Sequence, residues 1–270
     1  MSDHIYTYLD PELDPQQIDS DYSLLLQVYA KSFSYAVVYG DKLMAWAKDC
    51  DLSLMDDPGE HELLTFEYKN VVAGLSSNGF TLIPDLLYNE NKLADFARYL
   101  DVKPSEKILA QQLDDDNHII YKVDAAVADT AEIYGLQKAV FINKGWIDTI
   151  AKSGPTKHDL YLDIDKKQVS ILYFTDEKVR FYNSFNFDNP DELAYYVAYV
   201  AQELQLQPRQ LNLIVSGDFN IDDSNGTRLA EFFNGVEENY LSVINVPEGV
   251  APHRILALTA LILCVSSEVH

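Results

Sequence analysis

Residues 23–48 read SLLLQVYAKSFSYAVVYGDKLMAWAK, and residues 159–187 read DLYLDIDKKQVSILYFTDEKVRFYNSFNF. Each stretch is three short runs of β-branched, aromatic and aliphatic residues broken by turn residues. The first turn to the third run is Gly40-Asp41; its counterpart is Thr175-Asp176-Glu177. Each triplet predicts a three-strand antiparallel meander, and each is followed by a stretch that reads as helix. In the second half the helix covers 190–206, with Asp188 or Asn189 as cap and Leu193, Val197, Val200 and Leu204 on one face. In the first half the expected helix starts at Asp56-Asp57-Pro58 and runs to about Ser76, carrying Leu63, Leu64, Phe66, Val71, Val72 and Leu75. A duplicated β-β-β-α opening implies an α/β (α+β) chain of two domains, which also suits 270 residues.

Outward from the meanders, residues 1–20 read as an extended acidic lead-in, 21–155 as the first domain and 156–270 as the second. Ser153-Gly154-Pro155 marks the boundary. The first domain holds a segment without a counterpart in the second, at about 80–123. It reads strand (80–83), helix (90–100), strand (107–113), an Asp114–Asn117 turn and strand (118–123), a β-α-β-β insert. Helix is expected over 125–134 and 146–152, with a strand over 138–143 between them. In the second half strands are expected at 211–215 and 241–246, and helices at 224–233 and 252–264.

The formal net charge is −23, from 43 acidic and 20 basic residues, so the surface repels phosphate backbones and no nucleic-acid partner is expected. Cys50 and Cys264 have neither CxxC nor Cys/His ligand spacing, which removes a disulfide framework and a zinc site from consideration. The first residues lack the basic and apolar regions of a signal peptide, and the longest apolar run, Ile255 to Val265, is too short to span a bilayer. A cytoplasmic protein without a transmembrane segment is the expectation. Tyr29, Tyr35 and Tyr39 share one strand-face parity, which fits either core packing or a tyrosine-lined groove.

The element order resembles the actin-like ATPase superfamily, whose members duplicate a ribonuclease-H-like domain opening β-β-β-α. Similarity is greatest to the branch with the division protein FtsA and the pilus-assembly protein PilM, where a small β-α-β-β insert sits in the first domain. The stretch HIIYKVDAAVADTAEIYGLQKAVFINKGWIDTI (118–150) and the terminal PHRILALTALIL (252–263) carry the same rhythm. The resemblance implies phosphate loops of the form D-x-G-x-T and D-x-G-x-G-x-T, and an adenosine motif ending in a glycine pair. At the matching positions stand Gln27 with Tyr29, Asp163 with Asp165, and Ser216-Gly217-Asp218. Backbone N–H groups reach phosphate oxygens closely only where no Cβ intervenes. The chain has 11 glycines, about 4% against a usual ~7%, and neither GG nor GxG occurs.

Gln27, Asp163, Ser216, Gly217 and Asp218 are therefore expected as vestigial positions of a nucleotide cleft, with no catalytic residue, metal or cofactor. The calcium-loop start at Asp218–Asp222 lacks its glycine and its terminal glutamate, and Ser216 lacks the G-x-S-x-G elbow. The reading that follows is a non-catalytic protein-interaction or scaffold protein with degenerate nucleotide-binding loops. Its partner is a protein or peptide bound near the insert, and its oligomeric state is open. The rival is a divergent ATPase or small-molecule kinase using ATP and Mg²⁺ between the domains. A third reading is a purely structural homo-oligomer.

Overall fold

Strand β2 (Tyr22–Val28) is buried along almost its whole length, because Leu24, Leu25, Leu26 and Val28 leave neither face polar. A strand of that kind needs cover on both sides, which places it inside a sheet. Its neighbours are β3 (Ser32–Tyr39), antiparallel, and β5 (Asn70–Leu75), parallel. With β1 (Tyr8–Leu9), β4 (Lys42–Asp51) and β9 (Ala139–Phe141) they form a six-stranded sheet of order β1-β4-β3-β2-β5-β9. This computed structural model describes residues 6–18, 21–55, 57–59, 61–133 and 139–265. The expected helix start at Asp56 and the Gly135-Leu136 passage lie outside them.

The second sheet repeats the scheme. Strands β10 (Asp159–Asp165), β11 (Gln168–Thr175) and β12 (Lys178–Asn186) form the meander, and β13 (Asn212–Gly217) and β14 (Gly235–Glu238) add in parallel. The order is β12-β11-β10-β13-β14, matching β4-β3-β2-β5-β9 strand for strand. Helix α4 (Pro190–Glu203) covers one face with Leu193, Val197 and Val200, against Leu162, Ile164, Ile171 and Leu213. Its start is specified locally. The Asn189 side chain accepts from the Glu192 N–H, Pro190 occupies the first turn, and Glu192 accepts from the Asp188 N–H at 2.8 Å. Asn189 is the cap, one of the two residues expected.

The insert is a separate three-stranded sheet, β6 (Gly79–Pro84), β7 (Glu106–Gln112) and β8 (Asn117–Asp124), in the order β6-β8-β7. Helix α1 (Leu93–Ala97) is a single turn extended by 3-10 turns at Glu90–Lys92 and Arg98–Leu100. Asp114–Asn117 is the expected hairpin turn, closed by Leu113 N–H to Asn117 O at 2.8 Å. The remaining helices are α2 (Ala125–Ile133), α3 (Lys144–Lys152), α5 (Ser224–Ala230, capped by Asp223) and α6 (Pro252–Thr259), the last continued by a 3-10 turn at Ala260–Cys264.

Three expectations are corrected. Among the described residues the first half does not open β-β-β-α: 61–76 hold a 3-10 turn at Glu62–Thr65 and then β5. Two apolar clusters, Leu63-Leu64 and Val71–Leu75, had merged into one helical period across Glu67–Asn70, whereas the β-branched pair Val71-Val72 belongs to a strand beside β2. No strand forms over 241–246; the sheet position is taken by β14, where Val236 is the one residue buried below a tenth of its surface. Asn245 instead joins the first unit, donating its N–H to Asp41 O and accepting from Leu43 N–H. The tyrosine row is also corrected: Tyr29 lies in the turn between β2 and β3, Tyr35 is fully buried on His61 (3.0 Å), and Tyr39, on the same face at the end of β3, is exposed against Tyr22.

The chain divides into two compact units. One runs to Trp146 and takes back Val243–Pro247 and the chain from Leu258 on; the other holds Ile147–Ser242 and Glu248–Ala257. Two of the four divisions, after Trp146 and after Ala257, fall within α3 and α6.

In the insert, Lys122 of β8 and Glu106 of β7 form a buried ion pair at 3.1 Å, with side chains 9% and 4% exposed. Lys122 also donates to Asp101 O, and Glu106 accepts the Lys103 N–H at 2.8 Å. The Lys103 N–H, then the Lys122 ammonium, hold the Glu106 carboxyl below its ordinary value against the opposing effect of burial. A carboxyl lowered in the folded state stabilises above its unfolded value, about pH 4.3, and that contribution is lost as pH falls through the folded value. Hydrogen-exchange protection of the β7 and β8 amides is therefore expected to fall on acidification below about pH 4, and Glu106→Gln to remove that pH dependence. Equal acid responses in both chains would refute it.

Candidate functional site

The carboxyl ends of parallel strands are where open α/β sheets place ligands. In the second unit, the ends of β10 and β13 bring together four of the five residues singled out from sequence. Asp163 lies directly beside Ser216 and Ile164 beside Gly217 in the parallel register, and the Asp218 N–H donates to Ile164 O at 2.6 Å. Gln27 lies in the first unit, in β2, between Ser34 of β3 and Gly74 of β5.

Cross-strand neighbours point to the same face of a sheet, and following the register outward from Asp163 exposes a feature invisible in sequence. Ser170 of β11 faces Asp163, and Ser184 of β12 faces Ser170 with hydroxyls 2.9 Å apart. On the other side Asn239, just past β14, donates its amide to Ser216 Oγ at 3.0 Å. A polar row Ser184–Ser170–Asp163–Ser216–Asn239 thus crosses the sheet on the face opposite the Leu162, Ile164 and Leu213 core. Four of its members are buried, Asp163 at 8% exposure. His253 of α6 lies at the same end, buried, with Nε2 3.1 Å from Phe219 O and Nδ1 3.4 Å from Glu238. Asn239 and Ser184 could be found only once β14 and the register were known.

The chemistry available here is limited. A carboxamide donating to Ser216 cannot take its proton, so this contact does not make Ser216 a nucleophile. Among the described residues no group of three or more His, Cys, Asp or Glu is placed to hold a metal ion. The turns at the loop positions are tight. Tyr29 N–H donates to Ser32 O at 2.8 Å, and Asp165 pairs with Gln168 around Lys166-Lys167. Lys166, not a glycine, takes the positive φ of 53°, and Lys167 pairs with Asp188 at 2.7 Å. Gly217 keeps a glycine's role for a reason internal to the sheet: at φ 86°, a Cβ there would lie 2.0 Å from Ile164 O.

A second feature lies in the insert. The 3-10 turn at Asp85–Leu87 leaves Leu86 96% and Leu87 67% exposed, and Tyr99 is 82% exposed in the same insert. The turn is held at both ends. Asp85 N–H donates to Asp116 O at 2.8 Å, Tyr88 N–H to Pro84 O at 3.1 Å, and the Tyr88 ring stacks on His118 at 3.7 Å and 7°. Asp85 lies 3.3 Å from His118 Nδ1. The sequence signal was an apolar pair set between Pro84-Asp85 and Tyr88-Asn89.

A family model described as a protein of unknown function, DUF3822, matches residues 10–236. The chain belongs to the DUF3822 family. Functionally curated proteins include no sequence match to it. This DUF3822 protein is similar to a Bacteroides thetaiotaomicron VPI-5482 crystal structure of a protein with actin-like ATPase fold and unknown function, at TM-score 0.74 and 18% identity over 93% of this chain and 99% of that one. A chain of the PilM–PilN type IV pilus biogenesis complex matches at TM-score 0.55 and 13% identity, over 90% and 97%. The DUF3822 chain has the actin-like ATPase fold, as its element order implied. Among the described residues no helix is long and apolar enough to cross a membrane.

Proposed function

We propose that this chain is a non-catalytic protein-interaction or scaffold protein with degenerate nucleotide-binding loops, and that the insert carries its contact surface. The observation that carries the reading is the Leu86-Leu87 pair, exposed on a turn whose backbone is already fixed by Asp116, Pro84 and the Tyr88–His118 stack. An apolar pair held in place loses little conformational entropy on docking, while each leucine gains roughly 1.5–3 kcal/mol on full burial. The tight lysine turn at the second loop position supports the absence of turnover, since it presents Asp165 and side chains where a phosphate cradle needs converging bare N–H groups. The fold neighbour PilM is found in a complex with PilN, which supports a protein partner for this scaffold.

The test pairs a pull-down with a thermal shift. Leu86→Ser/Leu87→Ser is expected to lose the partners that the unaltered chain recovers while keeping its circular dichroism, and ATP–Mg²⁺ is expected to leave the melting temperature unchanged. A saturating nucleotide at 100 times its Kd would add about 2.7 kcal/mol, enough to see. A rise in melting temperature abolished by Asp163→Ala would replace this reading with the ATPase or kinase one. Unchanged partners would move the contact surface off the insert.

A further inference from the structure

Helix α4 buries one side in the core of the second unit, and its outer side carries Asp191, Tyr195, Tyr199 and Glu203, each four residues from the next. That spacing makes a single stripe, acid–ring–ring–acid, along the helix. Tyr195 is 62% and Tyr199 44% exposed, with rings stacked at 6.1 Å and 15°. Tyr195 meets the edge of Tyr196 at 5.4 Å, and Tyr196 stacks on Phe185 of β12 at 5.0 Å and 18°. Phe185 and Tyr196 pack against the buried core, so the exposed rings stand on a fixed base. The adjoining helix shows the same chemistry between the protein's own groups: the Arg228 guanidinium lies 4.9 Å over Phe232 and pairs with Asp191 at 2.7 Å.

We propose that the outer face of α4 docks an arginine-bearing segment of a partner protein. With Asp191 already paired to Arg228, the exposed Tyr195 and Tyr199 rings followed by Glu203 suit a flat cation, since a guanidinium both stacks on tyrosine and forks to a carboxylate, whereas an ammonium does only part of this. The charge of −23 selects a cationic occupant and opposes a second copy of this chain. Strand addition at the neighbouring edge is not the mode. The outer strand β12 carries exposed Lys178, Arg180, Asn183 and Asn186, and the Asn183 side chain already accepts the Ser184 N–H. The surface lies in the second unit and is independent of the insert.

The test uses the full chain and, as probe, a labelled alanine-based helical peptide with arginine at every fourth position, beside its lysine counterpart. The arginine peptide is expected to bind more tightly than the lysine one. Tyr195→Leu/Tyr199→Leu, which keeps a helix-forming apolar stripe, should weaken the arginine peptide about tenfold. Tyr240→Leu, which removes a tyrosine that is 74% exposed elsewhere in the unit, should leave it unchanged. Equal affinity of the double variant and the unaltered chain would overturn the proposal, since the peptide would then follow net charge alone. Absence of binding to the unaltered chain would overturn it as well.

Discussion

Gly217→Ala is expected to cost roughly 2–5 kcal/mol, a large share of the 5–15 kcal/mol that holds a domain together. Two effects add. The residue sits at φ 86°, where an L side chain costs about 1–2 kcal/mol. The new Cβ would also lie 2.0 Å from Ile164 O and 2.9 Å from the Ile164 C and N, all backbone atoms that yield only if β10 and β13 part. Overpacking of that kind costs typically 1–3 kcal/mol. Gly154 separates the two effects, because it has φ 75° and nothing within 4 Å of an added Cβ. Urea unfolding should show Gly154→Ala losing only the conformational part and Gly217→Ala markedly more. Equal losses would mean that the sheet absorbs the clash, and Gly217 would then need another explanation.

The second large effect has the opposite sign from helix propensity. Gly145 is the second residue of α3, and alanine for glycine in a helix ordinarily stabilises by roughly 1 kcal/mol. Here a Cβ would lie 2.2 Å from Ala260 O and 2.4 Å from its carbonyl carbon. Backbone overlap outweighs propensity, and Gly145→Ala is expected to destabilise by about 2–3 kcal/mol. It should act by lifting the Ala260–Cys264 turn, in which Leu261 and Cys264 are buried. Thiol labelling at neutral pH reads this directly. Cys50 is buried and its thiol is pushed up to about 11, by burial first and the Asp49 charge second, so it stays slow. Cys264 should label faster in the variant. A variant as stable and as slow to label as the unaltered chain would refute the packing argument.

Local physics made much of the fold legible. Both meanders follow from short apolar runs with turn residues between them, and the α4 start from Asn189, Pro190 and Glu192. The Asp114–Asn117 turn follows from side chains that satisfy their own backbone, as Asp114 does for the Asp116 N–H. The insert was legible as an order of elements because turn residues such as Ser77-Asn78-Gly79, Pro84-Asp85 and Asp114–Asn117 punctuate it.

Of the candidate site, the positions Asp163, Ser216, Gly217 and Asp218 were legible by resemblance alone, and their meaning was not. Only the tertiary structure decided that Val71-Val72 continue a sheet rather than a helix, because the parallel partner β2 is some 47 residues away in the chain. It alone placed β14, whose four residues carry little periodic signal and are specified by pairing with β13. It alone lined Ser184, Ser170, Asp163, Ser216 and Asn239 into one row, and set Tyr35 in the buried middle of β3 and Tyr39 at its exposed end. Gly217 reads in sequence as the remnant of a ligand loop; in the folded chain it is the residue that lets β13 pass the Ile164 carbonyl. The difference has one physical cause. Caps, turns and alternation depend on neighbours within a few residues, whereas register, burial and close backbone approach are set by strands that meet only after the chain has folded.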